Sequence, residues 1–202
     1  MNKEIISRSI VGSLLILFVE LSFKYFDPVI FNRFLWITMI YVLTIEWPSF
    51  KNIWLTVFFP LLPFMCLIEL NRMRYNNILY YIIILCGSHD IGAFFYGRSF
   101  GKTKIPLIGV VSPNKTIEGF MAGYLTSFIT VSIMFTEERY ASMYNVLVCN
   151  LISLFGDLFE SWLKRRADIK HSGSLLGYHG GVLDRLDGIL ILGLFQVMFK
   201  II

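Results

Sequence analysis

Four acids in the C-terminal half stand in two pairs. Asp157 and Glu160 are three positions apart, and so are Asp184 and Asp187. On a helix that spacing puts both members of a pair on one face. Lys164 and Arg165 follow the first pair within about one helical turn, and Arg185 sits inside the second. Between the pairs lies a basic, Gly-rich stretch carrying Lys170. Clustered carboxylates suit a hard divalent cation. Mg²⁺ takes oxygen ligands, usually one or two carboxylates completed by water and substrate phosphates. The neighbouring Lys and Arg suit the phosphates. The alternative is a set of salt bridges tying a loop to a helix. Asp157, Glu160, Asp184 and Asp187 are read as a cage for metal and phosphate together.

A second stretch carries anion-binding ingredients. Gly97-Arg98-Ser99-Phe100-Gly101-Lys102-Thr103 approaches a P-loop, but three residues separate its glycines where a P-loop has four. No parallel-sheet pattern precedes it, so the P-loop fold is rejected. Glycines in a loop still free backbone N–H groups, and Lys102 and Arg98 neutralise charge. Ser112-Pro113-Asn114-Lys115-Thr116 then leads into an apolar helix. A helix N-terminus with Ser112, Lys115 and Thr116 beside it is either an anion site or an ordinary capped loop. His179 precedes Gly180-Gly181 and is read as a binding or structural group.

The elements that hold these residues are read from composition. Of 202 residues, 56% are hydrophobic and 16% charged. Mean hydropathy is +0.66. A soluble globule of this size could not hide so much apolar surface, and disordered chains are apolar-poor. The class is an integral membrane protein. Long apolar runs without period-two alternation exclude a barrel. The expected fold is all-α, a polytopic helical bundle of about seven transmembrane helices. Candidate spans lie near 8–26, 31–48, 53–70, 77–97, 119–136, 143–163 and 187–202, with Pro60 and Pro63 kinking the third. The first is read as a retained helix, because no small-residue cleavage site follows it.

The polar stretches at about 98–118 and 164–186 are separated by two spans and share one side of the membrane. With the N-terminus inside, the Lys and Arg of the inner loops outnumber those outside. This favours a cytoplasmic location for both stretches. The net charge of +4 is therefore read as loop anchoring, with no nucleic-acid partner. Glu20, Glu46 and Glu69 also fall in or beside apolar runs and are read as helix-end or locally paired groups. Cys66, Cys86 and Cys149 are far apart in apolar runs and read as buried hydrophobes.

The run Ser161-Trp162-Leu163-Lys164-Arg165, then Lys170, Ser172-Gly173 and His179-Gly180-Gly181-Val182-Leu183-Asp184-Arg185-Leu186-Asp187, resembles the signature of the phosphatidate cytidylyltransferase (CDP-diacylglycerol synthase) family. Asp90-Ile91-Gly92-Ala93, Gly97-Arg98, Phe100-Gly101-Lys102, Ser112-Pro113, Lys115-Thr116, Glu118-Gly119 and Gly156-Asp157-Leu158 are similar to further blocks of it. The resemblance covers about 87–188. The first third matches only through an apolar helix ending in Glu46-Trp47, and the chain is shorter than most members. Lys170-His171-Ser172-Gly173 stands where the family usually has Lys-Asp-Ser-Gly.

The resemblance implies transfer of the cytidylyl group of CTP to phosphatidate, giving CDP-diacylglycerol and pyrophosphate for phospholipid synthesis, with Mg²⁺ required. Asp157 and Asp184 would hold the metal, supported by Glu160 and Asp187. Lys164 and Arg185 join Asp157 and Asp184 as the catalytic set. Lys102, Ser112, Lys115, Thr116, Arg165, Lys170 and His179 would bind substrate. The whole chain is expected to be one membrane-embedded domain, with N-terminal helices at 1–86, a catalytic region at 87–188 and a last helix at 189–202. The expected setting is a bacterial inner membrane with the site facing the cytoplasm; the reading allows a homodimer. Competing readings are a CTP-dependent polyprenol or phytol kinase, a membrane transporter, and an inactive homologue.

Overall fold

The structure, a computed structural model, describes residues 14, 17–25, 27–47, 53–72, 76–105, 111–113, 115–135, 137–177 and 180–202. Residues 17–25 are helical (α1). α2 (Pro28–Tyr41) starts at an Asp27 cap, whose carboxylate accepts from Val29 N, and has Pro28 in its first turn. There the missing N–H costs nothing. The helix continues through a π-helical turn, Val42–Glu46. Then come α3 (Ile53–Thr56), a wide turn Val57–Leu61, α4 (Leu62–Arg72), α5 (Asn76–Phe100), α6 (Ile117–Met134), the short α7 (Glu138–Ala141), α8 (Met143–Arg166) and α9 (Leu183–Phe199).

Five segments are long and apolar enough to cross a membrane: Pro28–Glu46, Trp54–Arg72, Asn77–Phe100, Ile117–Met134 and Met143–Arg166. α9, with 17 residues, reaches about 25 Å at 1.5 Å per residue. The chain is thus an all-α polytopic membrane protein. The third expected span is broken at Phe59, whose backbone is extended (φ −156°, ψ 113°) ahead of Pro60. Proline drives the residue before it out of the helical region. Pro63 produces no kink, because it lies in the first turn of α4.

Two other boundaries differ from the sequence reading. α5 runs on through Gly97-Arg98-Ser99-Phe100, so that stretch is helix and not a phosphate-cradling loop. Gly97 serves packing instead: a Cβ there would meet Gly119 Cα at 3.4 Å. α9 begins four residues before the expected 187, which puts Asp184 and Asp187 on one helix.

α6 is packed with its large side chains outward. Gly119, Gly123, Ser127 and Val131 face the protein. Ile117, Met121, Leu125, Ile129 and Ile133 face out, four positions apart. Water would punish that arrangement; lipid accepts it, and small residues let helices approach closely. α5 is the close neighbour of α6, with the buried His89 ring edge-on to Phe120 at 5.2 Å. α8 packs on α9, α9 on α4, and α4 on α2, around Leu67, Leu79, Ile82, Leu85, Leu190 and Leu192. Cys66, Cys86 and Cys149 are free and buried, as expected of small hydrophobes. Glu69 pairs locally with Arg72 at 3.8 Å, while Glu20 accepts from the distant Tyr80 hydroxyl at 2.8 Å.

Candidate functional site

The site lies where α5 and α8 end and α6 and α9 begin. On α8, Asp157, Glu160 and Lys164 recur at i, i+3 and i+7, one face of a helix. Lys164 Nζ donates to Glu160 Oε2 at 2.6 Å and to Asp184 Oδ1 at 2.6 Å. All three side chains are buried. Asp184 Oδ2 accepts from Gly181 N at 2.8 Å and Ser172 N at 3.1 Å. Gly180 has φ +83°, and a Cβ there would strike Asp184. The backbone therefore folds onto that carboxylate only because glycine occupies the position.

Beside this triad, Lys115 donates to Asp157 Oδ2, and Ser161 Oγ donates to Asp157 Oδ1 at 3.3 Å. The charges of Asp157, Glu160 and Asp90 all bear on Asp187. Glu160 Oε1 has no donor among the described residues. A buried carboxylate oxygen without a donor suits a proton or a cation. Asp90 is exposed and Asp187 partly exposed.

Among the described residues, no three acidic, His or Cys side chains already converge as metal ligands. The donor chemistry nevertheless fits Mg²⁺: hard carboxylate oxygens in excess of nearby lysines, and an undonated Glu160 oxygen. This ion commonly draws the rest of its shell from phosphate and water.

The link between α5 and α6 is held at both ends. Glu118 accepts from Thr103 N at 3.0 Å and Lys102 N at 3.2 Å. Lys104 and Thr116 form an isolated antiparallel bridge. Thr116 caps α6 by accepting from Gly119 N at 3.1 Å. Thr116 is thus first a capping residue, the bland option of the sequence reading. The Ser112 carbonyl accepts from Lys115 N at 3.4 Å.

Lys102, Lys170 and Arg185 are exposed around the site. Arg165 is exposed too and donates to Ile169 O at 3.1 Å. His179 lies outside the described residues. His171 Nδ1 is 3.7 Å from Asp184 Oδ2. Burial holds its pKa below the ordinary histidine range, against the pull of Asp184.

One residue of this region escaped the sequence reading. Glu46, at the end of the π-helical turn, is buried to 1% exposure. It is neither a free helix-end group nor locally paired. Oε1 accepts from Val182 N at 2.7 Å; Oε2 accepts from Leu183 N at 2.8 Å and Ser172 Oγ at 3.1 Å. The only sequence signal was a carboxylate closing an apolar run.

The chain belongs to the cytidylyltransferase family, whose model matches residues 5–202. It is similar to the phosphatidate cytidylyltransferase of Helicobacter pylori, 40% identical over 59% of this chain and 46% of the relative. It is 38% identical to that of Bacillus subtilis, over 61% and 48%. With that of Haemophilus influenzae the identity is 32%, over 82% and 66%. The chain spans about half the length of the first two of these relatives.

Proposed function

We propose that this protein transfers the cytidylyl group of CTP to phosphatidate, releasing pyrophosphate and forming CDP-diacylglycerol. The observation that carries the reading is the meeting of Lys115–Asp157 and Lys164–Asp184 at one end of the bundle, in a chain of this family. A phosphatidate oxygen forms a bond to the α-phosphorus of CTP. The bond from that phosphorus to the bridging oxygen breaks, and pyrophosphate leaves with the electron pair. Such transfers depend mainly on positioning and charge stabilisation. Phosphatidate is already an anion, so no protein base is required. Lys115 and Lys164 supply positive charge within the site; exposed Lys102, Arg165, Lys170 and Arg185 supply it at the rim.

Asp157 and Asp187 would hold Mg²⁺ with Glu160 beside them; Asp184, which the resemblance names as a ligand, is already engaged by Lys164 and two backbone N–H groups. When bound, the ion neutralises phosphate charge and helps align the attacking and leaving oxygens. The site would face the cytoplasm of a bacterial inner membrane. Basic loops favour that side, and CTP is found there.

The test is an assay of detergent-purified protein with CTP, phosphatidate and Mg²⁺, following every phosphate product. Pyrophosphate and CDP-diacylglycerol in equal amounts support the reading. Release of CDP with a polyprenol or phytol, and no reaction with phosphatidate, would transfer the protein to the kinases.

A further inference from the structure

We infer that Glu46 is a positioning residue for the reaction, a carboxylate that sets the 172–183 segment and the start of α9 in working order. The inference rests on the transferase reading for its link to turnover; the geometry beneath it does not.

A buried carboxylate is costly unless its oxygens are satisfied. Among the described residues no cation pairs with Glu46, and its charge is met by two backbone N–H groups and one hydroxyl. Those N–H groups, on the N-cap Val182 and on Leu183 at the start of α9, lack partners within the helix. A negative charge there is also favoured by the helix dipole. The fit is close on both sides. A Cβ on Gly173 would come within 2.7 Å of Glu46 Oε1, and one on Gly181 within 2.7 Å of both carboxylate oxygens.

Glu46 and Asp184 work on the same backbone. Ser172 gives its hydroxyl to Glu46 and its N–H to Asp184. Gly181 gives its N–H to Asp184 and packs its Cα side against Glu46. Moving Glu46 therefore moves the donors of Asp184, and with them Arg185 and Asp187 on the same helix. The π-helical turn Val42–Glu46 is part of the device. A wide turn changes the facing of the residues beyond it, and such turns concentrate at functional places.

The experiment compares E46Q and E46D with the wild type, as whole protein in detergent. Gln keeps the volume but sets an amide against N–H donors. Asp keeps the charge at shorter reach. If Glu46 only fills space, E46Q is harmless and E46D is the damaging change. If its charge orders the segment, the ranking reverses. We expect kcat of E46Q to fall about tenfold or more, KM for CTP to stay within about threefold, and E46D to recover part of the loss. Amide exchange at Val182 and Leu183 should quicken about tenfold or more in E46Q. Wild-type kcat or wild-type exchange in E46Q would overturn the inference. So would E46D performing worse than E46Q. If wild type does not turn over phosphatidate, the transferase reading falls, and exchange alone decides the clamp. Should E46Q fail to fold, E46D and S172A carry the same comparison, S172A removing the one hydroxyl that donates to Glu46; unchanged exchange in both would overturn it.

Discussion

Lys164 donates to Asp184 at 2.6 Å across twenty positions of sequence, with both side chains almost wholly withdrawn from solvent. The pair joins the end of α8 to the start of α9 and closes the Gly-rich segment between them. Removing the lysine would leave Glu160 and Asp184 buried together without a counter-charge. K164M is therefore expected to cost about 3–5 kcal/mol. A thermal melt in detergent checks this; an unchanged midpoint would show that the triad contributes little.

D184N and D157N should part company. Asp184 holds Lys164 and two backbone N–H groups, so D184N lowers both turnover and melting temperature. Asp157 is partly exposed and paired with Lys115. Such a pair contributes about 0–1 kcal/mol to stability, so D157N should lose turnover with little change in the melt. Equal destabilisation by the two changes would contradict the division of roles.

On the proposed reading, Mg²⁺ held by Asp157 and Asp187 stabilises the folded protein. A ligand of the folded state raises its stability, by about 2.7 kcal/mol at a hundred times Kd. Added Mg²⁺ is expected to raise the melting temperature of wild type and not of a D157N/D187N double variant, and chelation should abolish turnover. A rise of equal size in both proteins would place the ion elsewhere.

Two glycines of α5 and α6 make a matched pair. A Cβ at Gly123 would lie 2.7 Å from His89 O, which cannot yield without moving α5; Gly87 has nothing within 4 Å. G123A should destabilise by about 1–3 kcal/mol. G87A should be neutral or gain up to about 1 kcal/mol from helix propensity. Similar melts for both would mean the two helices are free to separate.

Much of this was legible in the chain. Asp157, Glu160 and Lys164 share a face because their spacing is local and helical, and the outward apolar face of α6 is written in its composition. The ends of helices were less legible. Gly97 and Gly101 both suggested a loop, yet only Gly101 lies past the end of α5, since composition does not distinguish a glycine that ends a helix from one that admits a neighbour. Pro60 and Pro63 look alike in sequence, yet only the first sits where a helix must break. Glu46 was illegible for a different reason. Its partners lie 126 to 137 positions away, and no periodicity reports a contact of that range.

That separation has a consequence in time. Ribosomes add about 5–20 residues per second, so Glu46 is synthesised roughly ten seconds before Leu183. During that interval its carboxylate lacks the groups that later enclose it, and water or the membrane surface must solvate it. The turn Val42–Glu46 therefore takes its final place only after α9 has begun to emerge, long after its own synthesis.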